Sequence, residues 1–123
     1  MIDIKADTDQ NILILHLEGF LTDDQLKTGV DLCISESNKL TKGYSIINDI
    51  SKMKPASPAG AAEIKRAQAH VLNNGVSLVI RVTHNPITKI QLNRTSGEVG
   101  YQAYEVSTME EAYELIESKS NRS

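Results

Sequence analysis

The chain has 123 residues, of which 40% are hydrophobic and 24% charged, and its formal net charge is −3. That length suits one domain with one core, and the composition excludes both a disordered chain and a membrane-embedded one. A single cysteine rules out an internal disulfide, so a reducing, cytoplasmic setting is expected.

No apolar run approaches the roughly 18 to 20 residues that span a bilayer, so no transmembrane segment is expected. The start, Met1-Ile2-Asp3-Ile4-Lys5, lacks the basic-then-apolar order of a secretory signal. Charge is segregated along the chain. Residues 1–51 hold nine acids and four bases, residues 52–94 seven bases and one acid, and residues 95–123 six acids and two bases. The basic middle either faces an anionic partner or docks against the acidic ends and is cancelled there.

Ile2, Ile4 and Ala6 alternate with polar residues, as in a short half-exposed strand. Turn residues 7–11 follow. Residues 12–18 are apolar on both faces for most of their length, the pattern of a central strand. The tight connection makes these two an antiparallel pair. Thr22 with Gln25 forms a capping box, and Asp23 and Asp24 favour the same helix start. Leu26, Val30, Cys33, Ser37 and Leu40 share one helical stripe, and Gly43 stops the helix near Lys42. A strand over residues 44–50, reached through that helix, lies parallel to the second strand.

Residues 51–56 read as a loop. Ser57 then caps a helix with Pro58 at its first position, and Asn73-Asn74-Gly75 ends it. Residues 76–82 are the clearest buried strand. A weaker helical segment opens at Asn85-Pro86, carries Ile87 and Ile90, and ends at Gly97 or Gly100. Residues 101–106 give a short strand. Ser107 with Glu110 reads as a further capping box, ahead of a helix carrying Met109, Ala112, Tyr113 and Ile116. The domain covers residues 1–117, and the polar tail 118–123 frays. The class is α/β: a mixed, mostly parallel sheet of about five strands with covering helices.

Catalytic signals are sparse. His16, His70 and His84 have no second ligand at a metal-like spacing, and there is no phosphate loop, dinucleotide fingerprint or nucleophile elbow. No metal, cofactor or catalytic residue is therefore expected. Cys33 reads as a small buried hydrophobe, His16 as a packed strand residue and His84 as an ordinary loop residue. Nucleic acid is an unsuitable partner, given the negative net charge, the absence of tryptophan and a single phenylalanine, Phe20.

The stretch from Asp49 to Gly60 is the most informative. It joins a parallel strand to a helix at the carboxyl end of the sheet, where ligands and partners gather. The Ser57 hydroxyl has a plain capping role towards Ala59 or Gly60. A helix N-terminus also favours a phosphate, so Ser57 is a candidate phosphoacceptor.

This layout resembles the STAS domain family, in particular anti-sigma factor antagonists of the SpoIIAA type, over about residues 10–117. Residues 17–22 resemble its strand-Gly-x-Leu-Asp turn, with Thr22 in place of the aspartate. Asp49-Ile50-Ser51 followed by Ser57 and Gly60 resembles its Asp-x-Ser and Asp-Ser-Ser-Gly loop. Residues 107–112 resemble the start of its last helix. Here the loop is longer, no aspartate precedes Ser57, and Pro58 follows it. The resemblance implies a non-catalytic regulatory module docking a protein partner, such as a kinase or an anti-sigma-like regulator. Its surface would be Thr22, Asp23, Asp49, Ser51, Met53, Lys54, Pro55, Ser57 and Gly60. The alternative is a related lipid-transfer-like domain that binds a small apolar or anionic ligand. Assembly as a homodimer stays open.

Overall fold

The computed structural model describes residues 1–84, 100 and 103–120, the last for its backbone only. The elements in chain order are β1 (Ile2–Asp7), β2 (Ile12–Gly19), α1 (Asp23–Ser37), β3 (Ser45–Met53), α2 (Pro58–Asn73), β4 (Leu78–Val82), β5 (Tyr104–Val106) and α3 (Met109–Ser120). The five strands lie in one sheet in the order β1-β2-β3-β4-β5. β1 pairs with β2 antiparallel, and every later pairing is parallel. This is the mixed, mostly parallel sheet that the sequence pattern anticipates. The weak helical segment from Asn85, with Ile87 and Ile90, lies outside the described residues, as do positions 101–102 and 121–123.

Strand alternation sorts the core into two layers. Leu13, Leu15, Ile46 and Val79 face α1 and α2, where Cys33 and Val71 complete the cluster. Ile12, Ile47, Leu78, Ile80 and Val82 face the other way, onto Ala112 of α3 with Met109, Leu115 and Ile116 around it. A third cluster of Leu21, Leu26, Ile50 and Met53 closes the carboxyl end of the first layer. α2 leans mainly on α1 and not on the sheet. Arg66 ties that pair, with its guanidinium 2.9 Å from Asp31 of α1 and bonded to Glu63 of its own helix. Lys52 lies 3.4 Å from Glu18. These bases of the middle segment are thus met by acids of the first segment.

Several boundaries differ from the sequence reading. α1 ends at Ser37, with Asn38 as its C-cap, well before Gly43. The Ser37 hydroxyl donates to the Ile34 carbonyl at 2.8 Å, and Lys39 and Leu40 close tight turns onto Glu36 and Ser37. A serine that competes for helix carbonyls favours such an ending. Leu40 still packs against the first layer, from outside the helix. β3 runs on to Met53, so residues 51–53 are strand and not loop. The cap of α3 is Thr108: its hydroxyl accepts from the Glu111 amide at 3.1 Å and donates to the Glu111 carboxylate at 3.3 Å. This side-chain cap, one residue further on, stands where the Ser107–Glu110 box is expected. α3 continues through Ser120, so the first residues of the expected tail are helical.

Two connections at the amino end of the sheet are tied together. Gly43 donates its amide to the Gly75 carbonyl at 2.7 Å, and both glycines hold positive φ, +93° and +91°. A side chain at Gly75 would be strained in that region and would press on the Lys42 stem. Gly75→Ala should therefore destabilise the protein by about 1 to 2 kcal/mol. Urea unfolding would show a lower midpoint with an unchanged slope.

Candidate functional site

α1 follows β2, and α2 follows β3. Both helices consequently begin at the carboxyl end of the sheet, side by side. Thr22 caps α1 by the expected box: its hydroxyl accepts from the Gln25 amide at 3.2 Å, and the Gln25 side chain accepts from the Thr22 amide at 2.9 Å. Ser57 caps α2, accepting from the Gly60 amide at 3.1 Å. The same Ser57 hydroxyl donates to the Asp23 carboxylate in the first turn of α1. One oxygen therefore caps its own helix and links it to the start of the other. Nothing in the local sequence signals that bond, since the two residues are 34 positions apart.

Around this link the surface is open. Thr22, Asp23, Lys54 and Pro58 are exposed, while Pro55 and Ser57 are half-buried. The Lys54 amide bonds the Gly19 carbonyl at 3.0 Å, which fastens the connection after β3 to the turn after β2. Phe20, on that turn, is 62% exposed. It shares its turn with Thr22 and Asp23, which the sequence places at the docking surface. An exposed aromatic beside two helix starts is the side-chain type that anchors interfaces.

Four residues assigned to this surface lie elsewhere. Met53 is 1% exposed and belongs to the core cluster with Leu21, Leu26 and Ile50, because β3 carries it under the helix starts. Gly60 is buried against α1: a Cβ there would sit 2.6 Å from a Leu26 methyl. Neither can touch a docked partner. Asp49 and Ser51 share the face of Ile47, on the opposite side of the sheet from α1 and α2. There Asp49 accepts from the Ser51 hydroxyl at 2.7 Å and amide at 3.1 Å, and its other oxygen lies 3.1 Å from His16 Nδ1.

Serine, aspartate and histidine thus meet, but the carboxylate stands between the other two. Activating a serine needs the imidazole in that middle place. The cluster is instead a satisfied polar network. Burial pushes the Asp49 carboxyl up, and the two Ser51 bonds and His16 pull it further down, so it titrates below its ordinary value. Burial raises the Cys33 thiol to about 11, which keeps it protonated and unreactive at neutral pH. Among the described residues, no three His, Cys, Asp or Glu side chains gather as a metal site. No helix there is long and apolar enough to cross a membrane.

A second feature lies beneath the helices. Because α2 leans on α1, a cavity of about 70 Å³ remains between both helices and the sheet. Its walls include Leu15, Leu26, Val30 and Val71, and the half-buried Ile2 and Ile64 form its outer rim. Three polar side chains enter it: Asn48, Gln68 and Arg81.

Two outcomes check these assignments. Met53→Ala should cost about 2 to 5 kcal/mol, as core truncations do. Phe20→Ala should stay within about 0.5 kcal/mol of the parent. Parallel thermal melts would separate them. For Asp49, a depressed folded-state pKa supplies stability that is present above its unfolded value and is lost as pH falls through the folded one. Ser51→Ala should move the Asp49 titration upward in a carboxyl NMR experiment. The variant should be less stable than wild type at neutral pH, by a margin that shrinks as the pH is lowered through the acid range.

No protein-family model matches the chain. No curated protein matches it either. Among solved structures it is similar to an uncharacterised protein of the DUF3478 family, from Shewanella loihica PV-4, described as having a SpoIIAA-like fold. The TM-score is 0.68 at 14% sequence identity, over 94% of this chain and 91% of that one. The five-stranded sheet and its covering helices accordingly form a SpoIIAA-like α/β fold.

Proposed function

We propose that this chain is a non-catalytic regulatory binding module that docks a protein partner at the end of the sheet where α1 and α2 begin. The observation that carries the reading is the Ser57 hydroxyl, shared between the Gly60 amide and the Asp23 carboxylate on an open surface beside Phe20. The SpoIIAA-like fold is compatible with an anti-sigma-antagonist type of role.

Electrostatics at Ser57 pull in two directions. The N-terminus of α2 favours a phosphate there. The Asp23 carboxylate opposes it, since phosphorylation removes the donated proton and places a charge of about −1.5 to −2 against an existing negative one. A phosphate on Ser57 would therefore break the link between the two helix starts and change the surface that a partner reads. An unmodified Ser57 keeps the link closed.

The test is a photo-crosslinking amino acid at Phe20 in cells, with Tyr113 on α3 as the control position. The adduct found only at Phe20 identifies the partner, and its affinity is then measured against wild type and Ser57→Asp. Binding at least tenfold weaker in Ser57→Asp is expected. Equal affinity would remove the switch, and adducts at both positions alike would remove the docking surface.

A second reading, a lipid-transfer-like domain taking a small ligand, is favoured by the cavity between the helices and the sheet.

A further inference from the structure

β1 is an edge strand, with β2 on one side and, among the described residues, no strand on the other. Met1 and Glu18 exchange two main-chain bonds at 2.9 Å, so the odd-numbered residues of β1 bond to β2. Ile2, Ile4 and Ala6 therefore turn their N–H and C=O groups outward. The Ala6 amide is taken at 3.1 Å by the Glu36 carboxylate of α1. Ile2 and Ile4 keep outward groups of the kind that a further strand takes up. β1 has neither the proline nor the bulge that blunts such an edge in other sheets. α1 runs beside this edge. A Cβ on Gly29 would lie 3.0 Å from Ile2, and Glu36 reaches Ala6, so the helix follows β1 in the same direction. Leu32 stands between them, three residues after Gly29 and four before Glu36, on the same side of the helix and level with Ile4. It is 40% exposed.

We propose that two copies of this chain join antiparallel through β1, about a two-fold axis at Ile4, so that their sheets become one. The inference stands apart from the docking and ligand readings. A self-pairing β1 can be centred on Asp3, Ile4 or Lys5, and its charges choose between them. Centring on Asp3 sets aspartate against aspartate, and centring on Lys5 sets lysine against lysine. Centring on Ile4 sets each Asp3 directly against Lys5 of the other copy, in the closely spaced non-bonded positions where cross-strand side chains meet. Both side chains are exposed. Charges that would deter a foreign strand are thus complementary to their own copy, as a two-fold interface requires. The same axis brings the two Leu32 side chains together above it, because Leu32 is level with Ile4. In the main chain, the two Ile4 residues exchange both their bonds, and each Ile2 amide reaches the Ala6 carbonyl of the other copy. The Ala6 amide stays with Glu36.

The experiment is sedimentation velocity of the full chain, made without an N-terminal tag, over a range of concentrations. Wild type should show a concentration-dependent dimer. Lys5→Glu sets acid against acid on both sides of the axis and should weaken that dimer at least tenfold. Adding Asp3→Lys to Lys5→Glu exchanges the two charges and should return the wild-type affinity. Leu32→Asp should weaken the dimer at least tenfold. All three positions are exposed, and circular dichroism checks that each variant is folded. A wild-type chain that stays monomeric at about 1 mM would overturn the proposal. A dimer unchanged in Leu32→Asp would overturn its location. A dimer unchanged in Lys5→Glu, or weakened there and not restored by the exchange, would overturn the register.

Discussion

Parallel pairing of β2, β3 and β4 is the constraint on which the rest depends. A strand that must lie parallel to its predecessor needs a crossover, and the crossover here is a helix on one face. Two consecutive crossovers on the same face oblige α1 and α2 to start at the same end and to run beside each other. The start of each helix leaves backbone N–H groups without internal partners. The chain meets that demand with Thr22 on α1 and Ser57 on α2, and the adjacency of the two starts lets Asp23 receive the Ser57 proton. The candidate surface is therefore a consequence of topology: any chain with this strand order must gather those ends, and the side chains decide what is done with them.

The same constraint accounts for the cavity. α2 is amphipathic, but its inner face carries Gly60, Ile64, Ala67, Gln68 and Val71, of which only Ile64 and Val71 are large and apolar. A helix with so narrow an apolar stripe cannot fill the space above β3 and β4, and it settles against α1 instead. Gly60 permits the close approach at one end, where Leu26 of α1 occupies the place of a side chain. Further along, Ala67 is too short to reach the sheet. Close contact at the N-terminus and a gap in the middle follow from two small residues, seven positions apart on one helix.

What was legible in the sequence was whatever is local. The apolar runs of β2 and β4, the boxes at Thr22 and the Ser57-Pro58 start act within four or five residues, and each appears where its chemistry requires. The end of β3 was not legible, because Ser51 and Lys52 interrupt the apolar pattern. Pairing with Glu18 and Gly19 of β2 carries the strand onward to Met53 all the same. A long-range ladder overrode a local composition, and Met53 moved from surface to core. Thr108 took the cap from Ser107 because both have a glutamate three residues on, and only packing decides between two adjacent registers. Phe20 could not be found by pattern, since a lone aromatic in a turn reads as core until the turn is seen to hold it out. Asp49 and Ser51 bond each other, and strand alternation sends both to the face away from Ser57.

The two readings of function are also mechanically connected. The Ser57–Asp23 bond holds the starts of α1 and α2 together, and Leu26, three residues after Asp23, lies both against Gly60 and in the wall of the cavity. Separating the helix starts would move Leu26 and Ile64 apart, and both line the cavity. A group that occupies the cavity favours one spacing of the helices. A charge on Ser57 favours a wider one. By linkage, each must then alter the free energy of the other, and the sign is set by whether the occupied cavity is wider or narrower at Leu26 than the empty one.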